Sequence, residues 1–308
     1  MKSSNVGGQA VLEGIMMKHG PKYAVAIRKP DKEIEVKVEE YNSIIKWEKL
    51  TKIPFVRGVF NFIDSMVLGM KTLMYSASFF EEEGEGVLMT EEEIKKKEKQ
   101  EELVMTITMI LSVVLAMGIF MVLPYFISNL FSQMIQSRLL KTIIESFVRI
   151  GLFVGYILLV SRMKDIQRVF MYHGAEHKCI NCIEQGLPLT LENVRNSSKE
   201  HKRCGTSFLF FVMLVSIIVC FFIVVESQIL RVVIRIALLP VIAGISYELI
   251  RLAGSSTHPL VSLLSKPGLA MQKLTTKEPE DDMIEVAIRA VEEVFDWKKY
   301  QEENFGET

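Results

Sequence analysis

The chain has 308 residues with 36 basic and 37 acidic side chains, a formal net charge of −1. That balance leaves no basic surface for nucleic acid, so nucleic acid is not expected as a partner. Hydrophobic residues make up 49% of the chain and its mean hydropathy is positive, which argues against an ordinary soluble enzyme and for segments buried in a lipid bilayer. The N-terminus is polar and lacks the apolar core of a signal peptide, so insertion has to come from internal segments.

Residues 5–23 hold Gly7, Gly8, Glu13, Gly14, His19 and Gly20, which read as glycine-bearing loops whose backbone can approach another group closely. Residues 23–29 and 33–39 alternate apolar and polar side chains around Pro30-Asp31-Lys32, the pattern of a β-hairpin that must pack on something to be stable. Residues 54–80 have helical apolar spacing with Pro54 in the first turn. The helix either lies in the membrane interface or covers a cytoplasmic core. An acidic linker, residues 81–86, and a capping box from Thr90 to Glu93 precede a charged helix that feeds into the first apolar segment.

Four segments are candidate transmembrane helices: 104–127, 143–161, 207–225 and 229–250. The second carries Glu145 and Arg149 and the fourth Arg231 and Arg235. Isolated charges in hydrocarbon are costly, so these should be paired or reach an interface. The connection 162–203 holds Arg162, Lys164, Arg168, Lys178, Arg195, Lys199, Lys202 and Arg203. The opposite side carries Arg138, Lys141 and the few residues 226–231. The bias of positive charge puts 162–203 and both termini in the cytoplasm. The cysteines there meet a reducing compartment, where metal binding is a better expectation than a disulfide.

The central segment carries the chemistry. Asp165 can cap a helix that runs to Gly186-Leu187-Pro188, and Leu191–Asn196 reads as a helical turn. On that first helix His173 and His177 stand four apart with Glu176 between them, the H-x-x-E-H order of inverted zincins. In that order two imidazoles hold zinc and the carboxylate activates a bound water. Two solvated histidines on a surface helix would give the same five residues. The neighbourhood favours metal: three of five histidines and three of four cysteines fall in this region, and His201 and Cys204 form a second same-face pair. Cys179 and Cys182 fit two packed core thiols at least as well as a redox pair or half a zinc knuckle. Glu248 ends the fourth apolar segment on the same side as His173 and Cys204, as a ligand, a proton handler or an ion-pair partner of Arg251. Residues 260–274 form an apolar, interfacial stretch. A final amphipathic helix from Pro279 carries Ile284, Ala287, Ile288, Val291 and Val294 on one face and should pack on the hairpin.

The stretches Gly7-Gly8-Gln-Ala-Val-Leu-Glu13-Gly14, Tyr172-His-Gly-Ala-Glu-His-Lys178, Arg203-Cys-Gly-Thr-Ser-Phe208 and Ala243-Gly-Ile-Ser-Tyr-Glu248 together resemble the YqhQ family of bacterial membrane proteins, a family defined by a domain of unknown function. The resemblance extends over nearly the whole chain. It implies a metal-dependent membrane protein with His173, Glu176, His177, His201, Cys204 and Glu248 in its motifs, and it implies no substrate.

The sequence thus leads to a mainly α membrane protein with about four transmembrane helices and a small cytoplasmic α+β part. Its regions are 1–86 (hairpin and amphipathic helix), 87–161 (charged helix and spans one and two), 162–206 (His/Cys segment), 207–250 (spans three and four) and 251–308 (C-terminal helices). The expected location is the bacterial inner membrane, multi-pass, with the bilayer and a second copy of the chain as partners. The expected cofactor is zinc or another divalent transition metal on His173, His177 and one of Cys204, His201 or Glu248, with Glu176 as general base of a hydrolase. Two alternatives remain. One is a metal clasp in a transporter, channel or scaffold, where four protein ligands would close the site. The other is a metal-free polar network.

Overall fold

The structure is a computed structural model that describes residues 3–43, 53–80, 91–130, 135, 137–223, 225, 227–256 and 258–306. The acidic linker and Thr90 of the capping box lie outside the described residues, as do residues 131–134 and 136 between the first two apolar segments. The chain divides into two compact units, one formed by Met1–Phe80, Ile157–Val219 and Leu238–Thr308, the other by Glu81–Tyr156 and Cys220–Ala237.

The first unit contains a four-stranded antiparallel sheet in sequence order: β1 (Val6–Val11), β2 (Gly14–His19), β3 (Lys22–Arg28) and β4 (Ile34–Glu40). The expected hairpin is β3–β4, paired Ala24↔Val38 and Ala26↔Val36. The glycine-bearing loops expected before it are instead a second hairpin, β1–β2, with Gly8 opposite Met17. The physical reason is burial on both faces. Ile15 and Met17 enter one core with Ala24 and Ala26, while Met16 enters another with Val25 and Ile27. A strand covered on both sides has no polar face, so it lacks the alternation that marked β4.

One face of the sheet is covered by α1 (Val56–Ala77), through Leu68 and Tyr75, and by Phe79 just beyond its end. This helix follows Phe55, whose φ of 68° places it in the left-handed region, so Pro54 precedes the helix instead of occupying its first turn.

The other face packs on the helix carrying the central motif, here Lys164–Glu184, and on Asp281–Val294, whose Ile284, Ala287 and Val291 are fully buried against it. The C-terminal helix therefore packs on the sheet as its apolar stripe required. A short helix, Trp297–Phe305, follows it and was not foreseen.

The second unit is helical. In chain order it has α2 (Glu91–Met117), one π-helical stretch (Gly118–Val122), α3 (Leu123–Leu130), α4 (Arg138–Val160) and, later, Gln228–Ala237. Two stretches, Leu103–Leu130 and Leu139–Val160, are long and apolar enough to cross a bilayer. Numbering on from α4, the central helix is α5, Leu191–Asn196 is α6, Gly205–Phe221 is α7, Gln228–Ala237 is α8, Leu239–Ser255 is α9, Pro259–Thr275 is α10, and the last two are α11 and α12.

Of the four expected spans, two are shown among the described residues by length and composition, or three if α8 and α9 are taken as one. The third candidate is present as α7, an apolar helix of 17 residues, shorter than the two stretches above. The fourth is interrupted at Leu238, just before Pro240 at the start of α9. Proline has no N–H to continue the hydrogen-bond ladder of a preceding helix.

Within the second unit Glu145, Arg149 and Arg235 are paired, while Arg231 donates to the Val225 carbonyl. Arg235 donates to both oxygens of Glu145 at 2.6 and 3.0 Å, and Arg149 donates to the same carboxylate at 2.9 Å. All three are buried, and the Tyr125 ring lies 5.1 Å from the Arg235 guanidinium.

Candidate metal centre

On α5 the i, i+4 spacing brings the rings of His173 and His177 to a centroid distance of 4.4 Å. Each ring is anchored through Nδ1. His173 Nδ1 lies 3.0 Å from the Thr275 carbonyl oxygen and His177 Nδ1 lies 2.7 Å from that of Lys199. A carbonyl only accepts, so both Nδ1 atoms carry the hydrogen, and in the neutral tautomer that this selects, each Nε2 is the nitrogen with the lone pair. This backbone anchoring of the far nitrogen is how metal-ligating histidines are usually oriented.

The third group is Cys204, which immediately precedes α7 and whose carbonyl accepts from the Phe208 N–H at 3.3 Å. Its Sγ stands 3.2 Å from His173 Nε2 and 3.1 Å from Thr206 Oγ1, and it accepts from the Thr206 N–H at 3.4 Å. The ligand-type atoms of His173, His177 and Cys204 all lie within 4.8 Å of one another, the one such group of three or more among the described residues. His177 is 1% exposed and Cys204 5%, while His173 is partly open.

Side chains that the sequence did not single out build the cradle. The fully buried Gln272 of α10 accepts from the His201 N–H at 2.8 Å and donates to the His201 carbonyl at 2.7 Å and to Ser207 Oγ at 2.8 Å. Lys178 Nζ donates to the carbonyls of Arg195 and Ser197, at 2.7 and 2.9 Å, and Asn181 Nδ2 to those of Ser198 and Glu200. The loop that delivers Lys199 and Cys204 is thus tied to α5 by α5's own polar side chains. Gly174, inside the motif, lets the chain after α10 cross α5. A Cβ there would collide with the Lys277 carbonyl, and the Lys277 N–H donates to the Phe170 carbonyl at 2.9 Å. That crossing brings the Thr275 carbonyl to His173. A buried lysine or glutamine among apolar neighbours was the available signal, but its partners are distant in sequence.

Glu176 is buried and points at β1, where the Gly8 N–H donates to its carboxylate. A Cβ on Gly8 would stand 2.7 Å from the Met16 carbonyl oxygen and 3.0 Å from the Glu176 carboxyl carbon, so the close approach requires glycine. Burial pushes the Glu176 carboxyl up, against the pull of His173 and of the Gly8 N–H. The rest of the N-terminal motif also reaches α5. Arg168 pairs with both oxygens of Glu13, one of them at 2.6 Å, and Tyr172 Oη lies 3.4 Å from the same carboxylate.

His201 sits beside the cluster, its ring 5.7 Å from that of His177, but its Nε2 faces Glu184 at 3.6 Å. Burial holds the His201 ring below its usual pKa against the pull of Glu184. Glu184 also pairs with Arg203 and accepts from the N–H and Oγ of Ser4, both at 2.8 Å. Burial pushes the Glu184 carboxyl up, but His201, Arg203 and the Ser4 N–H together bring it down to about 2.

Glu248 is not brought to the cluster. Arg57 of α1 donates to both its oxygens at 2.7 and 2.5 Å, and the Phe55 N–H donates at 3.1 Å. The ion-pair reading of Glu248 holds with Arg57 as the partner in place of Arg251. Cys179 and Cys182 lie in the core between α5 and the sheet. Burial raises both thiols, Cys182 to about 11, and neither joins the cluster.

A family model described as a protein of unknown function, DUF1385, matches residues 53–297. The chain belongs to that family. It is 37% identical over 300 residues to the "Uncharacterized protein YqhQ" of Bacillus subtilis (strain 168), a match covering 97% of this chain and 94% of that one. No solved structure matches. The DUF1385 match contains the three clustered ligand groups and their cradle. Gly8 and Glu13, which hold Glu176 and Arg168 from the sheet, lie N-terminal to it.

Proposed function

We propose that this DUF1385 protein binds a divalent transition metal, zinc foremost, through His173 Nε2, His177 Nε2 and Cys204 Sγ. The observation that carries the reading is the convergence of these atoms within 4.8 Å, with both histidines locked by Nδ1 to backbone carbonyls. Two imidazole nitrogens and a sulfur are a donor set that zinc favours. Three protein ligands with a fourth position open are the usual count for a catalytic site, and a metal so held supplies Lewis-acid activation of a water.

Metal-assisted hydrolysis at the cytoplasmic face of a bacterial inner membrane is therefore the reaction class. Glu176 is the group that takes and returns the proton. Its buried carboxyl prefers the protonated form more than a free one does, which suits a base that must also act as an acid. In this reading α7 and the α8–α9 pair complete four crossings with both termini cytoplasmic, as the basic loop requires.

The second reading is a non-enzymatic clasp in a transporter, channel or scaffold, with His201 moving in as the fourth ligand. The depth of His177 and Cys204 favours it. The test is metal content and thermal melting of purified wild type and of His173→Ala, His177→Ala, Cys204→Ser and Glu176→Gln, with a hydrolysis screen on lipid and peptide substrates. Each ligand variant should lose stoichiometric metal. Glu176→Gln should keep metal and lose activity in the hydrolase reading, and be nearly silent in the clasp reading. Metal retained by both histidine variants would end both and leave a polar network.

A further inference from the structure

α10 is built inside out. Its buried positions are Ser265, Gly268, Gln272 and Thr275, small or polar, while Leu260, Leu263 and Leu264 are 64%, 58% and 54% exposed. A surface helix of a soluble domain shows the opposite arrangement. The inward polar groups are satisfied. Ser265 Oγ donates to the Val261 carbonyl at 2.8 Å, Gln272 holds His201 and Ser207, and Gly268 packs against Ser207. The inversion is therefore part of the fold, and the leucines face whatever surrounds it.

Lys266 and Lys273, seven apart, share one exposed flank of this outer face. Seventeen residues with Lys266 and Pro267 at the middle are a poor span, because a crossing would leave the ammonium at mid-depth. Lying flat, the same helix would bury its leucines at the acyl boundary while both lysines reach the anionic headgroups. We infer that α10 lies in the plane of the membrane interface, its occupant a lipid surface containing anionic lipid. The inference rests on the reading of this chain as a membrane protein and is independent of any metal. Its consequence for the candidate site is positional. The helix that meets lipid on one side carries on the other Gln272 and Thr275, which hold His201 and His173, so the cluster stands about one helix diameter, roughly 10 Å, from the headgroup layer.

The test is spin-label depth measurement on the full chain in vesicles of phosphatidylethanolamine and phosphatidylglycerol. Labels go at Leu260→Cys, Leu264→Cys and Lys273→Cys, with Phe147→Cys in α4 as the reference. The four native cysteines are buried. Oxygen accessibility should exceed that of a water-soluble nickel chelate several-fold at 260 and 264, at similar shallow depths, with the order reversed at 273 and the deepest value at 147. Water-exposed labels at 260 and 264 beside a lipid-exposed label at 147 would overturn the inference alone. A water-exposed label at 147 would overturn it together with the membrane reading. Dipolar broadening between copies at 260 or 264 would show that a second chain covers the face, and would also overturn it.

Discussion

The two units solve the same problem, a buried polar side chain, in different ways. Around the sheet, His173, His177, Lys178, Asn181 and Gln272 are satisfied mainly by backbone carbonyls of the loop 195–201 and the end of α10. In the helical unit, Glu145, Arg149 and Arg235 pair with one another. Irregular backbone offers free carbonyls, whereas a helix keeps its own for its ladder, so a charge between helices must bring a charged partner. Polar burial near the sheet fixes the shape of a site, and polar burial among the apolar helices fixes which helices neighbour which.

The sharpest way to break the comparison is Glu145→Leu. It leaves two guanidinium groups buried without their carboxylate, and loss of one partner from such a cluster costs about 3–5 kcal/mol. The expected outcome is a large fall in denaturant midpoint and folded yield with metal content of the remaining folded protein unchanged. An unaltered midpoint would mean that water reaches Glu145. Gln272→Leu attacks the other strategy. It strands the backbone groups of His201 and the hydroxyl of Ser207 at about 1–3 kcal/mol. As a displaced support of a ligand loop it should weaken metal affinity by about 10-fold or more. Titration with a competing chelator reads the second effect separately from melting.

Acid sharpens the contrast further. The Glu184 carboxyl is held down at about 2 by His201, Arg203 and Ser4 despite its burial. A folded-state pKa below the unfolded one contributes stability that is complete above the ordinary glutamate range near 4.3, and that is lost as pH falls through about 2. Melting temperature against pH should therefore fall more steeply for wild type than for Glu184→Gln between those limits, and parallel curves would show that the network contributes nothing. The smallest effect is expected of Glu248→Gln. Its partly exposed pair with Arg57 should contribute about 1 kcal/mol or less, with metal content unchanged. Metal loss in that variant would return Glu248 to the ligand set.

Much of the local structure was legible because it was periodic. β4 alternates and, across the Pro30-Asp31-Lys32 turn, marked β3 as its partner although β3 is covered on both faces, and α11 carries an apolar stripe. The helical turn 191–196 has the expected bounds, with Thr190 Oγ1 accepting from the Asn193 N–H at its start. Asp165 was nearly placed: it sits in the first turn of α5, while Met163 occupies the cap. The β1–β2 hairpin escaped because two covered faces erase alternation, and the break before Pro240, which divides the fourth apolar run into α8 and α9, has no counterpart in hydropathy.

By itself the sequence determined that His173, Glu176 and His177 share a helix, because i, i+3 and i, i+4 positions must fall together on it. It also placed Cys204 at the start of an apolar helix. Only the tertiary structure decided that Cys204, and not Glu248, meets those histidines, and that Gly8 of a strand 168 residues away holds Glu176. Spacing fixes geometry within one helix. Between elements, geometry depends on which carbonyls, glycines and charges find each other when the chain packs, and no local period encodes that.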